Sequence, residues 1–146
     1  MLTQITCGPI SESAMVNEFT FVCSLFLDGG PAEVSVIYGW GCNLDVLWKP
    51  KDIAVANLYD WITKSIQDGV YEPGQSDILI EAGELLKVKF CHEADIHITT
   101  ETAAIIEKCA SRWLRQGYRV LRSNKVPPSH DSWQEVQSVE NATAGL

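Results

Sequence analysis

Basic residues are scarce in this 146-residue chain, and their scarcity limits the partners that the chain can bind. Eleven Lys and Arg stand against nineteen Asp and Glu, which gives a formal net charge of −8 at pH 7 and a sequence pI of about 4.7. The phosphates of nucleic acids and of anionic membranes attract basic surfaces and repel acidic ones. We therefore expect neither a nucleic acid nor a membrane as the partner.

The chain also lacks a long apolar run and a paired set of cysteines. The first eight residues contain no positively charged segment followed by an apolar core, so we expect no secretory signal peptide. Five cysteines, an odd number without a C-x-x-C pair, indicate free thiols and not a disulfide framework. These features together predict a cytoplasmic protein in a reducing compartment. The cysteines are Cys7, Cys23, Cys42, Cys91 and Cys109.

Common catalytic motifs are missing as well. The sequence has no Gly-rich phosphate loop, no G-x-S-x-G elbow and no H-E-x-x-H helix. We therefore predict no catalytic residue, no cofactor and no metal, and the sequence favours a protein that is not an enzyme.

One cluster of reactive side chains keeps an enzymatic alternative open. If residues 91–97 form one extended strand, the side chains of Cys91, Glu93, Asp95 and His97 share a face, because side chains alternate along a strand. Such a face could hold a metal or pair a thiol with a base, whereas a tight turn at residues 93–95 would rearrange it. The alternative is a small cysteine- or metal-dependent hydrolase that uses Cys91, His92, Asp95 and His97.

The pattern of apolar residues predicts a single α+β domain over residues 1–123. Residues 18–28 are rich in aromatic and β-branched types, end at Gly29-Gly30 and precede an alternating run, which indicates an antiparallel hairpin. Apolar spacings of three and four predict helices over residues 52–68 and from about residue 99 to Gly117. Residues 77–80 and 85–91 indicate a second hairpin, and residues 94–99 a further strand. We expect a largely antiparallel sheet of about five to six strands with two helices on one face, followed by a polar tail over residues 124–146, partly disordered or folded back.

Acidic residues are concentrated in one part of the chain. Residues 1–86 carry a balance of −9, residues 87–125 of +4 and the remainder of −3. A run of acidic residues around the end of the first predicted helix contains no Lys or Arg. Such a run is typical of a surface that keeps a protein soluble, and its more specific interpretation is a docking surface for a basic protein. Trp40, between two glycines in a predicted loop, suits either a lid on the core or an exposed interface anchor. The predicted partner-binding residues are Trp40, Asp68, Glu72, Asp77, Glu81 and Glu84.

These features favour a non-enzymatic protein-binding module. In its size, acidity and α+β character, the chain resembles the small acidic immunity proteins that bacteria make against polymorphic or contact-dependent toxins. The resemblance implies inhibition of a basic toxin through an acidic face, with fast electrostatically steered association. Besides the hydrolase, a structural or assembly subunit that associates with itself remains a second alternative.

Overall fold

Three helices and eight strands make up the described part of the chain, which comprises residues 2–43 and 47–124 and the backbone of residues 134–136 of a computed structural model. A short 3-10 turn, Val55–Asn57, leads directly into the second helix. The helices are α1 (Glu12–Asp28), α2 (Leu58–Gln67) and α3 (Ala103–Arg115). The strands are β1 (Thr3–Cys7), β2 (Glu33–Tyr38), β3 (Lys51–Ala54), β4 (Ile78–Ala82), β5 (Leu86–Phe90), β6 (Ile96–Thr100), β7 (Val120–Ser123) and β8 (Gln134–Val136).

All eight strands belong to one antiparallel sheet with the order β3-β2-β4-β5-β6-β1-β7-β8. The amino-terminal strand β1 lies inside the sheet, between β6 and β7. The predicted α+β class is therefore confirmed, with more strands and one more helix than expected. Within the segment predicted as a polar tail, residues 134–136 form β8 and pair with β7, and the rest of that segment beyond residue 124 lies outside the described residues.

The segment predicted as the first strand is a helix, so the hairpin across Gly29 and Gly30 was a wrong prediction. Residues 18–28 form the second part of α1, which begins where the Ser11 hydroxyl accepts a hydrogen bond from the amide of Ala14. The buried residues of α1 recur every three or four positions, as one helical face requires, and this spacing outweighs the strand propensity of their side chains. They include Phe19, Val22, Cys23 and Phe26.

Later elements agree better with the sequence patterns. The second hairpin is β4–β5, and the run after residue 94 is β6. The helix predicted over residues 52–68 begins only at Leu58, because residues 51–54 pair with β2 as β3. The last helix begins at Ala103 and is followed by Gly117 in a positive-φ conformation, as its sequence indicates. No helix of the described segments combines the length and the apolar character that crossing a membrane requires.

The three helices of the described residues cover one face of the sheet, and none of them packs on the other face. On the covered face, Phe19 of α1 packs edge-on against Phe90 of β5, and the Tyr38 hydroxyl of β2 hydrogen-bonds with the Ser65 hydroxyl of α2. Many side chains of the opposite face are half-buried, and eight residues line a groove of about 270 Å³ there. We call this side the open face; the groove is lined by Gln4, Leu79, Glu81, Lys87, Val88, Lys89, His97 and Thr99.

An ion pair between a buried carboxylate and a partly exposed guanidinium joins α1 to α3 on the covered face. The fully buried Glu18 carboxylate accepts hydrogen bonds from Nε and Nη2 of Arg112, at 3.0 and 2.7 Å, and from the indole N–H of Trp113 at 2.7 Å. Three donors on one carboxylate offset the cost of removing its charge from water. Glu18 thus fixes the relative position of two helices that are far apart in the sequence.

Candidate functional site

Two histidine–aspartate pairs lie at one end of β4, β5 and β6, on either side of Cys91. The chain leaves β5 through a turn in which the Cys91 amide donates to the Asp95 carbonyl at 2.8 Å and the Ala94 amide donates to the Cys91 carbonyl at 3.1 Å. Residues 91–97 therefore contain a turn and are not one extended strand. The turn still leaves Cys91, Asp95 and His97 close together, whereas the Glu93 side chain is exposed.

The first pair joins His92 to Asp77, the residue before β4. One carboxylate oxygen of Asp77, Oδ1, accepts from the His92 backbone amide at 2.7 Å and lies 2.8 Å from the His92 Nδ1. The other oxygen, Oδ2, lies 3.8 Å from the Lys89 ammonium. Asp77 is only 3% exposed, so its charge is compensated inside the protein and is not available to a partner surface.

Trp40 lies over the His92 ring of this pair. The ring centroids are 4.4 Å apart and the planes are inclined by 38°, yet Trp40 remains 58% exposed. Its loop is held against residues 75–77 because Gly39 donates to the Asp77 carbonyl, Asp77 donates to the Trp40 carbonyl and the Ser76 hydroxyl donates to the Gly41 carbonyl. Trp40 is thus an exposed aromatic side chain on an ordered support.

Close contacts explain why glycine stands on both sides of Trp40. A Cβ at Gly39 would lie 2.7 Å from the ring of Trp48, and a Cβ at Gly41 would lie 2.7 Å from the Gln75 carbonyl oxygen. Gly41 also has φ near +78°, a conformation that L residues avoid. Trp48, packed against Gly39 and itself 57% exposed, extends the aromatic surface around Trp40.

The second pair joins His97 of β6 to Asp95 and faces the open side of the sheet. His97 Nε2 lies 3.1 Å from Asp95 Oδ1, and His97 Nδ1 lies 2.9 Å from the Thr6 hydroxyl and 3.3 Å from the Gln4 amide nitrogen. Burial opposes ionisation of Asp95, but the hydrogen bond and the charge of His97 outweigh it and lower the pKa of this carboxyl. Asp95 is therefore held as a carboxylate between Cys91 and His97.

Cys91 lies between the two pairs but is not an activated nucleophile. Its sulfur is 3.9 Å from His92 Nδ1, the same nitrogen that faces Asp77, so His92 cannot relay a proton between the thiol and that carboxylate. Burial raises the pKa of the Cys91 thiol to about 12. A catalytic cysteine has the opposite property, a lowered pKa, so the thiol chemistry of the hydrolase alternative finds no support in this geometry.

Three of the predicted acidic residues lie next to lysines. Asp68 pairs with Lys64 at 3.3 Å at the end of α2, and Glu84 pairs with Lys87 at 3.4 Å in the β4–β5 turn. Glu81 is half-buried on β4, opposite Lys87 of β5. Of the predicted acidic residues, Glu72 is exposed and lies near the Trp40 loop. Its amide donates to the Ser76 hydroxyl, which in turn donates to the Gly41 carbonyl.

The tertiary structure adds site residues that the sequence analysis did not single out. Thr6 and Gln4 belong to β1, about 90 residues before His97, and only the β1–β6 pairing places them beside its ring. Lys89 lies in a segment that the alternating pattern predicted as a strand, but the sequence did not show that Asp77 would be its partner. The partial signal for all three was their position on the polar side of alternating strands.

A separate cavity of about 280 Å³ lies between β3 and α2. The Lys51 ammonium lies 4.5 Å from the centre of the Trp61 ring on its wall, so a lysine already covers that aromatic face. Asp68 is the only predicted site residue on its wall, and its carboxylate pairs with Lys64. We therefore do not place the function there.

Comparison of the chain with family models, with curated proteins and with solved structures finds no match.

Proposed function

We propose that this chain is a non-enzymatic protein-binding module whose contact surface is centred on Trp40. The observation that carries the proposal is an exposed tryptophan whose backbone is fixed by hydrogen bonds and whose ring rests on His92. Tryptophan is enriched among the few residues that supply most of the energy of protein interfaces. A side chain ordered before binding also loses little entropy in the complex.

The layers beneath Trp40 explain why it is ordered. His92 is held by two contacts to Oδ1 of the buried Asp77, and Asp77 also binds the loop that carries Trp40 through backbone hydrogen bonds. The Cys42 thiol donates to the Asp77 carbonyl at 3.2 Å and ties the end of the loop to the same residue. Asp77 therefore acts in this proposal as a support and not as a contact residue.

Charge favours a basic partner. Glu72 and Glu93 are exposed near the Trp40–His92 stack, and the Glu93 carboxylate lies 4.0 Å from His92 Nε2. An arginine of a partner could contact the Trp40 face and one of these carboxylates together. Asp68, Glu81 and Glu84 lie next to lysines, so in this proposal they contribute mainly to the long-range field of a chain with net charge −8.

The resemblance to immunity proteins suggests the kind of partner, namely a basic toxin that the chain inhibits. Its support is the acidic charge and the lack of an activated thiol at Cys91. A cytoplasmic location belongs to the same proposal, and it is supported by the five cysteines, which are all buried and free.

Affinity purification of the full chain from its source cells tests the proposal, with bound proteins quantified by mass spectrometry. We expect a basic protein in stoichiometric amount with the wild type, and binding about 30-fold weaker or more for Trp40→Ala, since a hot-spot side chain contributes about 2 kcal/mol or more. Leu85→Ala is the matched control, because Leu85 is 71% exposed in the β4–β5 turn, away from Trp40. Equal recovery by Trp40→Ala, or no stoichiometric partner, would overturn the proposal.

The purified partner then allows the electrostatic and inhibitory parts to be tested separately. Reversing the charges of Glu72 and Glu93 should slow association and reduce its dependence on salt, whereas Trp40→Ala should mainly speed dissociation. Co-expression with the chain should relieve any toxicity of the partner. A partner that binds through Trp40 but harms no cell would remove the immunity role and leave protein binding intact.

A further inference from the structure

We infer that Cys91, Asp95 and His97 form a binding site for one zinc-like divalent cation at the end of β5 and β6. The donor atoms of these three side chains all lie within 4.8 Å of one another. A thiolate, a carboxylate and an imidazole are the ligand types that zinc binds in proteins. Three protein ligands leave the fourth tetrahedral position for water.

Rigid elements position the three donors. Cys91 directly follows β5 and Asp95 directly precedes β6, and the Cys91 amide binds the Asp95 carbonyl across the turn. His97 lies within β6, which is hydrogen-bonded to β5 on one side and β1 on the other. The backbone therefore keeps the donors together without help from a ligand.

A residue outside the three ligands orients the imidazole. When His97 Nε2 carries the proton, it donates to Asp95; when Nδ1 carries it, the Thr6 hydroxyl at 2.9 Å can accept it. The second tautomer leaves Nε2, which lies 3.1 Å from Asp95 Oδ1, with a free lone pair, and it gives up the contact between Nδ1 and the Gln4 amide nitrogen. Metal-binding histidines almost always have such an acceptor on the other nitrogen, and Thr6 supplies one from β1. Binding of the cation also releases the Cys91 thiol proton to solvent.

The donor atoms of Asp77, Cys91 and His92 also lie within 4.8 Å of one another, but the Asp77 carboxylate already has other partners. Asp77 Oδ1 accepts from the His92 amide and lies against the His92 ring, and the Lys89 ammonium is 3.8 Å from Oδ2. A cation there would have to displace these contacts and approach a positive charge. The geometry therefore favours the group that contains His97.

Titration of the metal-free full chain with Co²⁺ tests the site, since a cobalt–thiolate bond gives a charge-transfer absorption band. We expect one equivalent to bind with this band, and Zn²⁺ to abolish it by competition. Cys91→Ser should remove the band, and His97→Gln should weaken binding at least as much as the loss of an orienting residue does, about 10–100-fold. Thr6→Val should weaken binding by about tenfold while the band remains.

His92→Gln is the matched control, because it removes a histidine next to Cys91 that belongs to the other group, and it should bind Co²⁺ as the wild type does. Circular dichroism of every variant separates loss of binding from loss of folding, and His97→Gln retains the thiol if Cys91→Ser does not fold. Absence of saturable binding with a thiolate band in the wild type would overturn the inference. Loss of binding in His92→Gln with retention in His97→Gln would equally overturn it. Neither result affects the proposed protein binding, whose test depends on Trp40.

Discussion

The two histidine–aspartate pairs on either side of Cys91 have the same chemistry but different surroundings. In the first pair, Asp77 is buried, binds both the backbone and the ring of His92, and supports the Trp40 loop. In the second pair, Asp95 and His97 are partly exposed on the open face, and the His97 ring is bound on its other side by β1. The difference shows that the elements around a pair, and not its residue types, decide whether it is buried beneath a loop or stays partly exposed.

The largest expected effect concerns Cys91, which lies between the pairs. Burial raises the pKa of the Cys91 thiol from the ordinary 9.0 to about 12. If neither histidine activates the thiol, its thiolate fraction at neutral pH is therefore about a thousandfold smaller in the folded chain than in an unfolded chain. Iodoacetamide labelling, followed at the Cys91 peptide by mass spectrometry, should therefore be at least this much slower in the native protein than in urea. Labelling at a similar rate in both states would mean that one of the pairs activates the thiol.

The two carboxylates should differ in their contribution to stability. We expect Asp77→Ala to lower the free energy of unfolding by about 3 kcal/mol, because it leaves the His92 amide without its acceptor in a buried site. Asp95→Ala should cost about 1 kcal/mol, since water can replace part of its contacts. Urea denaturation measures both, and Asp77→Asn, which keeps an acceptor oxygen, should fall between wild type and Asp77→Ala. Equal losses for both alanine variants would contradict the difference between the pairs.

The loop over the first pair should not tolerate a side chain at Gly41. Gly41→Ala combines a positive φ with a Cβ 2.7 Å from the Gln75 carbonyl oxygen, whereas Gly30→Ala has a positive φ with no atom within 4 Å of its Cβ. The conformational strain alone costs about 1–2 kcal/mol at either position. We expect the clash to make Gly41→Ala the more destabilising by about 1 kcal/mol or more in thermal unfolding. Equal effects would mean that the loop shifts freely away from residues 75–77.

The smallest expected effect is the pH dependence of the second pair. The Asp95 pKa is lower in the folded chain than its ordinary 3.8, so the contribution of this carboxylate to stability is fully present above that value. The contribution is lost as the pH falls through the lower pKa of the folded state, because below that value Asp95 is protonated in both the folded and the unfolded chain. The stability difference between wild type and Asp95→Asn, measured by urea denaturation, should therefore shrink from neutral pH to about pH 3. A difference that grows on acidification would contradict the lowered pKa.

The local sequence predicted those elements whose residue pattern is consistent with only one type of secondary structure. Residues 78–82 and 86–90 alternate buried and half-buried side chains around Gly83, and the sequence identified this hairpin. The α1 segment contains both a helical spacing and a strand-like composition, and the second misled the prediction. Packing decides such a case, because α1 buries Phe19 against Phe90 and places Glu18 beside Arg112, contacts that a strand there would not form.

The site was predictable in part. Residue types and neighbouring glycines alone singled out the cluster of reactive residues at 91–97 and Trp40, but only the structure shows that Trp40 is exposed. The contact between them was not, because it depends on Asp77, which appeared in the sequence as one of several surface acids. Burial turned that carboxylate into a support for His92 and for the Trp40 loop.

By itself, the sequence determined the α+β class, the acidic charge, and the residue types near Cys91 and around Trp40, because these follow from composition and short-range spacing. Only the tertiary structure decided which acids stay exposed, which histidine meets which aspartate, and where Thr6 lies. The pairing of β1 with β6 brings Thr6 to His97, 91 positions later in the chain, and no local pattern encodes such a distance.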